Sequence, residues 1–183
     1  MKKPYYISIT IPYVNATPHI GYALETVQGD AIARYQRLLG KEVCFVAGSD
    51  ENSLKNVQAA EKAGEKVEAF VERHAKAFSD LKQVLNISYN DFIRTTEKRH
   101  IDGAQKLWSA CNLDDIYKKS YSGLYCVGCE TFYSEDELVQ GLCSEHKKAP
   151  ELVEEENYFF RLSKYQEKIE ELLEKNIVQV HPP

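Results

Sequence analysis

The sequence of 183 residues contains no continuous apolar run of the roughly 20 residues that a membrane-spanning helix needs. Its first residues, Met-Lys-Lys-Pro followed by alternating polar and apolar side chains, lack the uninterrupted apolar stretch of a signal peptide. Internal repeats and low-complexity segments are also absent. These absences predict a globular protein that neither spans a membrane nor is built from repeats.

An excess of positive charge and a disulfide pattern are missing as well. The formal net charge is −5, so no overall basic field attracts nucleic acid, and any RNA contact must come from local patches such as Lys118–Lys119 and Lys147–Lys148. Five cysteines occur without spacing that suggests disulfides, and Cys44, inside an apolar run, is expected in the core. This cysteine usage predicts a reducing, cytoplasmic location.

The first ~112 residues alternate between strand and helix patterns. The β-branched and aromatic stretch 5–11 predicts a strand that Pro12 ends, and the apolar run 42–47 predicts a second strand. Apolar residues at helical spacing predict a helix from about 19 to 39, two helices between 51 and 85 and a helix near 97–111. A short extended piece at Phe92–Ile93 precedes the last of these helices. This succession predicts an α/β unit with a parallel sheet.

The composition then changes. Residues 116–160 are rich in tyrosine, and they end in an acidic run, Glu151 to Glu156, that reads as a solvated linker. A final amphipathic helix follows. The sequence therefore predicts two domains, 1–115 and 116–183, the second being a small insert with the start of a return helix.

Cysteine and histidine spacing in the second part predicts a metal site. Cys126 and Cys129 are separated by two residues, as are Cys143 and His146, and thirteen residues lie between the two pairs. Two such pairs can surround one tetrahedral ion, and a Cys₃His set favours structural Zn²⁺ with no open position for chemistry. The alternative is three unrelated cysteines near a histidine.

The segment Pro18-His19-Ile20-Gly21 lies where the first strand passes to the first helix. Ligands of open parallel sheets bind at the carboxyl ends of the strands, and a helix N-terminus there offers free N–H groups to a phosphate. His19 could donate to an anionic oxygen, and Gly21 leaves room for a flat base. The simpler interpretation is ordinary helix capping.

The stretch from Ile11 to Gly21, Ile-Pro-Tyr-Val-Asn-Ala-Thr-Pro-His-Ile-Gly, resembles the HIGH signature of class I aminoacyl-tRNA synthetases in the form used by methionyl-tRNA synthetases. Two further stretches are similar to the same family. Gly48-Ser49-Asp50-Glu51-Asn52-Ser53 resembles the loop after its second strand, and Cys126 to His146 resembles its zinc knuckle. The resemblance implies the first half of a class I Rossmann-like sheet with a small zinc-knuckle insert.

The resemblance also implies roles for individual residues. Ile11 and Tyr13 would line the pocket for the methionine side chain, and Asp50 would accept from the α-ammonium, although Asp50 could instead cap the following helix. The catalytic positions would be His19, Gly21 and Tyr22, at the ATP phosphates and adenine, with Asn15 nearby. Tyr22 stands where the signature has histidine and cannot carry positive charge, so its phosphate role departs from the family pattern.

No Lys-x-Ser-Lys segment corresponding to the family's KMSKS loop occurs in these residues. The sequence is therefore expected to be an N-terminal portion without the second half of the sheet or the anticodon domain, and inactive alone. The implied enzyme is a methionine–tRNA ligase that uses ATP with Mg²⁺ and the acceptor end of tRNA(Met). Two alternatives remain: another class I synthetase or a nucleotidyltransferase with a His-x-Gly-His loop, and a non-catalytic zinc module that binds RNA or protein.

Overall fold

The computed structural model describes residues 4–180, which form two compact units that divide between residues 105 and 106. The first unit contains a three-stranded sheet and its helices, and the second contains another three-stranded sheet. The division lies within a helix, α4, that runs from Lys98 to Ala110. The domain bounds 1–115 and 116–183 stay a prediction.

The first unit is an α/β structure with a wholly parallel sheet. Its strands are β1 (Tyr5–Ser8), β2 (Val43–Ser49) and β3 (Asp91–Arg94), and they lie in the order β1-β2-β3. One helix, α1 (Ile20–Leu38), connects β1 to β2, and two helices, α2 (Leu54–Ala63) and α3 (Val67–Val84), connect β2 to β3. Helical crossovers of this kind are what parallel neighbours require. The predicted fold class is confirmed.

The central strand β2 forms the middle of the core. Phe45 and Ala47 are fully buried and pack with Ala33 of α1 and with Tyr89, which precedes β3. Cys44, the neighbour of Phe45 in β2, is exposed, so its predicted core position is wrong. The reason is the alternation of side chains along a strand, which directs Cys44 away from the buried face of Phe45.

β1 is shorter than the predicted strand 5–11. Ile9 still donates its N–H to the carbonyl of Val46 at 3.3 Å. Beyond it, both the N–H and the hydroxyl of Thr10 donate to the carboxylate of Glu25 on α1, at 2.7 and 2.6 Å. This side-chain acceptor replaces a strand partner, so the chain leaves the sheet towards α1.

The second unit is an antiparallel sheet followed by a helix. Its strands are β4 (Ile116–Cys126), β5 (Thr131–Tyr133) and β6 (Glu151–Phe160), in the order β5-β4-β6, and α5 spans Gln166–Glu174. The acidic run predicted to be a linker therefore belongs to a strand, pairing along β4 from Tyr125↔Glu151 to Ser120↔Glu156. Exposed carboxylates remain solvated on the strand, so the solvation was predicted but the pairing was not.

No helix between residues 4 and 180 is both long enough and apolar enough to cross a membrane.

Candidate active site and metal centre

The carboxyl ends of β1, β2 and β3 meet at one edge of the parallel sheet, and the segments that follow these strands carry the candidate active site. The chain after β1 runs beside the chain after β2, because the N–H of Asp50 donates to the carbonyl of Pro12 at 2.8 Å and Tyr13 pairs with Asp50 in a parallel bridge. The structure thus brings together two residues, Tyr13 and Asp50, that are separated by more than thirty positions in the sequence.

The carboxylate of Asp50 belongs to the loop and does not cap a helix. Its Oδ1 accepts from the N–H of Asn52 at 3.0 Å, and the hydroxyl of Thr95, just after β3, lies 3.5 Å from the same oxygen. The N-cap of α2 is Ser53, whose hydroxyl accepts from the N–H of Lys55 at 3.1 Å. The capping interpretation of Asp50 is therefore wrong. The residue is half-buried and follows β2 at the edge at which such sheets bind ligands.

Tyr13 and Ile11 border this edge after β1. The ammonium of Lys55 lies 5.2 Å from the centre of the Tyr13 ring, a cation–π distance. Ile11 is 37% exposed and lies against Gly48, where a Cβ atom would come within 2.9 Å of Ile11 Cγ2 and 2.4 Å of the carbonyl oxygen of Ile93. Gly48 is thus required for the close approach of the strand ends.

His19 is the N-cap of α1. Its Nδ1 accepts from the N–H of Gly21 at 3.0 Å, and both residues are exposed. An added Cβ at Gly21 would lie 2.8 Å from Cε1 of His19, so this imidazole conformation needs a position without a side chain. Capping and ligand binding are compatible here, because Nε2 stays available at a helix N-terminus with a positive dipole end.

The other two predicted residues differ in their surroundings. Asn15 is exposed in the bend between β1 and α1. Tyr22 is 5% exposed and packs edge-to-face on Phe78, with ring centres 5.0 Å apart, in a cluster with Val14 and Val71. Burial raises the pKa of Tyr22 to about 12, so the phenol stays neutral. Its observed contacts are those of a core residue.

The four predicted metal ligands form one cluster in the second unit. The ligand atoms of Cys126, Cys129, Cys143 and His146 all lie within 4.8 Å of one another. Cys129 Sγ is 3.1 Å from both Cys143 Sγ and His146 Nδ1. Two cysteines are fully or nearly fully buried, and three sulfurs with one imidazole are the donor set of structural Zn²⁺. The residues present fit such an ion.

Local backbone geometry prepares this cluster. The N–H of His146 donates to Cys143 Sγ at 3.4 Å, and this bond is the main reason that the pKa of Cys143 falls to about 5, which favours the metal-binding thiolate. At Gly128 a Cβ atom would lie 2.6 Å from Cγ of His146, so the imidazole packs directly on the glycine backbone.

Several residues around both sites were missed by sequence reasoning. Thr95 follows β3 at the ligand-binding edge, and the carboxyl-end rule could have identified it once β3 was predicted at Phe92–Ile93. Tyr133, whose hydroxyl donates to Cys129 Sγ at 3.1 Å, is a partner that no spacing rule indicates. His74 of α3 differs from these two, because its helical spacing with Phe70 and Phe78 already predicts a histidine at the edge of the core. It is buried and hydrogen-bonds the backbone of Ala16.

Most of this chain also matches a known protein family. The model described as tRNA synthetases class I (M) matches residues 5–149, which include the Tyr13–Asp50 edge, the capped α1 and the metal cluster. The chain belongs to this family. The predicted family and its Rossmann-like fold with a Cys₃His cluster are confirmed.

Similar members of the class I (M) family are methionine–tRNA ligases. That of Brucella suis is 43% identical over 180 residues, which are 96% of this chain and 35% of the relative. That of Thermotoga maritima is 42% identical over 183 residues, 97% of this chain and 29% of the relative. The chain thus spans about a third of the length of these relatives.

A solved structure of a methionyl-tRNA synthetase is closely similar to this chain, and a more distant one shares its fold. The Mycobacterium tuberculosis methionyl-tRNA synthetase bound by methionyl-adenylate superposes with a TM-score of 0.90 at 42% identity, covering 98% of this chain and 37% of that one. An Agrobacterium radiobacter LeuRS in a ternary complex, at 21% identity and a TM-score of 0.73, shares the fold.

Proposed function

We propose that this chain carries the amino-acid and nucleotide site of a methionine–tRNA ligase. The observation that carries the proposal is the pairing of Tyr13 with Asp50 at the carboxyl edge of the parallel sheet. The capped N-terminus of α1 lies at the same edge, because α1 follows β1. Membership of the class I (M) family and the methionyl-adenylate bound to the mycobacterial relative support the same ligand.

Methionine would bind between the segments that follow β1 and β2. Tyr13 and Ile11 offer aromatic and apolar contact to a flexible thioether. The carboxylate of Asp50 accepts from the α-ammonium, a charge-assisted hydrogen bond that fixes the orientation of the amino acid. Its bonds within the loop leave the second carboxylate oxygen, Oδ2, for this contact.

ATP, accompanied by Mg²⁺, would bind at the start of α1. The first N–H groups of the helix and its positive dipole end favour phosphate oxygens. His19 donates from Nε2 to a phosphate, while Gly21 leaves the backbone open to the adenine, and Asn15 lies in the adjoining bend. Tyr22, the third residue predicted to be catalytic, acts from the interior, where its ring holds α1 against Phe78 of α3.

The reaction needs no covalent bond to the protein. A carboxylate oxygen of methionine attacks the α-phosphorus in line, a new O–P bond forms, and the bond to pyrophosphate breaks. The terminal ribose hydroxyl of tRNA(Met) then attacks the methionyl carbonyl, and AMP leaves. In the adenylation step the residues of this chain orient the two reactants and stabilise phosphate charge, which is how enzymes chiefly accelerate phosphoryl and nucleotidyl transfer.

The Cys₃His cluster would hold one structural Zn²⁺, which contributes folding energy to the second unit. Cys126 and Cys129 hold the end of β4, while Cys143 and His146 hold the loop before β6. We place the acceptor end of tRNA near this insert. The five free cysteines and the role in translation favour a cytoplasmic location.

The experiment is methionine-dependent exchange between ATP and pyrophosphate in a chimera. In the M. tuberculosis synthetase, the segment that this chain matches is replaced by residues 1–183. We expect exchange that depends on methionine and not on leucine, isoleucine or valine, whereas the isolated chain shows none. Exchange with another amino acid would indicate a different class I synthetase. A well-folded chimera without exchange would contradict the proposal, whereas robust exchange by the isolated chain would contradict only the expectation that residues 1–183 are inactive alone.

A further inference from the structure

A buried ion pair lies directly beside Asp50. The side chain of Glu51 is fully buried, and its carboxylate accepts from Nε and Nη2 of Arg94 at 2.6 and 3.1 Å. The hydroxyls of Ser49, at 2.9 Å, and Thr96 complete its partners. Burial alone would raise the pKa of Glu51, but the bonds from Arg94, Thr96 and Ser49 together lower it, so the carboxylate is charged. The reaction proposed above does not use this pair.

Arg94 extends the pair to a third element. Its Nη1 lies 2.7 Å from the carboxylate of Glu72 on α3. The guanidinium therefore connects the end of β3 with the loop after β2 and with a helix that packs beneath the sheet. A planar guanidinium held on several sides fixes its partners in orientation as well as in position.

Thr95 transmits this rigidity to Asp50. The N–H of Glu51 donates to Thr95 Oγ1 at 2.8 Å, so the hydroxyl is already an acceptor and its proton is free to point elsewhere. The hydroxyl donates to Oδ1 of Asp50, which lies 3.5 Å away. Thr95 is 5% exposed and its N–H donates to the carbonyl of Ser49, so its backbone is fixed by the sheet.

We propose that Thr95, fixed through Glu51 by the Glu51–Arg94 ion pair, is a positioning residue that orients the carboxylate of Asp50 towards the α-ammonium of the bound amino acid. The inference rests on the proposed function for its ligand, but the orientation of Asp50 is a property of the chain alone. Thr95 itself touches neither the methionine nor the ATP. Its effect should be selective for the amino acid, because Asp50 is the proposed partner of the α-ammonium, whereas the proposed partners of ATP are His19 and the first N–H groups of α1.

Thr95→Val, which keeps the shape but removes the hydroxyl, is compared with Thr95→Ser in the 183-residue chain. Side-chain couplings of Asp50 measured by NMR should show one rotamer in the parent and in Thr95→Ser, and averaging in Thr95→Val. Thr95→Val removes both the bond to Asp50 and the acceptor of the Glu51 N–H. Methionine affinity should fall about 5- to 10-fold, as expected for the loss of the bond to Asp50, while ATP affinity changes less than twofold. In the Asp50→Asn variant, adding Thr95→Val should lower methionine affinity little further, because both substitutions remove the same contact with the α-ammonium.

An unchanged Asp50 rotamer in Thr95→Val would overturn the inference, as would equal losses of methionine and ATP affinity, which indicate a general loosening of the fold. Failure of the proposed function has a different signature. In that case the parent chain binds neither methionine nor ATP although its Asp50 rotamer depends on Thr95 as expected.

Discussion

At the scale of single residues, two glycines are needed because a histidine ring lies close to their backbone. Gly21 and Gly128 have the same arrangement: a ligand-type imidazole, His19 or His146, lies where a Cβ atom would be. In each case the imidazole can take its observed position only because the glycine has no Cβ atom. The sequence indicated Gly21 through its position in a motif, but the packing of His146 on Gly128 depends on the fold of the intervening loop, which spacing alone does not describe.

Gly21→Ala should displace the imidazole of His19 from its cap. We expect ATP affinity to fall about 10-fold, as for the loss of one charge-assisted contact, with little loss of stability because both residues are exposed. Gly103→Ala in α4 is the matched control, since a Cβ atom there meets nothing within 4 Å and the change should stabilise the helix by about 0.5–1 kcal/mol. Titration of ATP with thermal unfolding of each variant measures both effects. Equal ATP affinity in the two variants would contradict the role of Gly21.

Residues in contiguous motifs could be predicted from the sequence, whereas contacts between distant positions could not. Tyr13, Asp50 and His19 could be predicted because they stand in contiguous motifs. Thr95 and Arg94 could not be connected with Asp50, because their contacts cross more than forty positions of sequence. Tyr22 stands where the HIGH signature has histidine, and the sequence already indicated a departure from the family's phosphate role there. Its burial against Phe78 on the inner face of α1 depends on tertiary packing, which the motif does not describe.

At the scale of secondary structure elements, the helices and the inner strands β2 and β3 followed the sequence closely, whereas β1 was predicted too long and β6 was not predicted. The predicted bounds of α1, 19 to 39, agree with Ile20–Leu38 because a capping residue and Gly40, at φ 72°, mark its ends locally. Strand β6 was missed since its acidic residues are exposed and its pairing with β4 is not local. Lys118 compensates part of that charge, with its ammonium 2.7 Å from Glu156.

The start of β4 is fixed by a buried carboxylate. Asp115 accepts from Lys164 Nζ at 2.7 Å and from the hydroxyl of Tyr165, and these two bonds lower its pKa. A carboxyl whose pKa is lower in the folded state stabilises the fold at neutral pH. This stabilisation is lost as pH falls from about 4, the unfolded value, through the lower folded one.

Asp115→Asn should therefore lower the unfolding temperature of the second unit at pH 7, with a smaller difference from the parent below pH 3. Thermal unfolding followed at several pH values by tyrosine fluorescence checks this. Lys118→Gln, which removes an exposed ion pair with Glu156 and an exposed cation–π contact with Tyr158, is the control and should change little. A difference between Asp115→Asn and the parent that does not vary with pH would refute the assignment.

Zinc is expected to organise the β4–β5 hairpin and the loop before β6. Removal of the ion by a chelator, or Cys126→Ala, should increase hydrogen exchange across residues 120–150 before it affects the parallel sheet, because structural zinc supplies folding energy locally. Cys111→Ala, which alters a cysteine outside the cluster, serves as control. If neither the chelator nor Cys126→Ala changes hydrogen exchange in residues 120–150, a structural metal is excluded.

At the scale of the whole molecule, the two units have different proposed roles. The first provides the parallel sheet edge at which amino acid and nucleotide meet, and the second provides a metal-stabilised insert for the tRNA acceptor end. The α/β class and the Cys₃His cluster followed from periodicity and spacing, which are local properties. The proposed specificity for methionine did not follow from them, because a pocket between segments after different strands depends on how these segments come together.

The most direct measurement is calorimetric titration of the 183-residue chain with a non-hydrolysable analogue of methionyl-adenylate, in parallel with the leucyl analogue. We expect one site per chain for the methionyl compound, with affinity about 10- to 100-fold weaker in Asp50→Asn, since a hydrogen bond between two charged groups is lost. Binding of neither compound by the folded chain, or equal binding of both, would contradict the account.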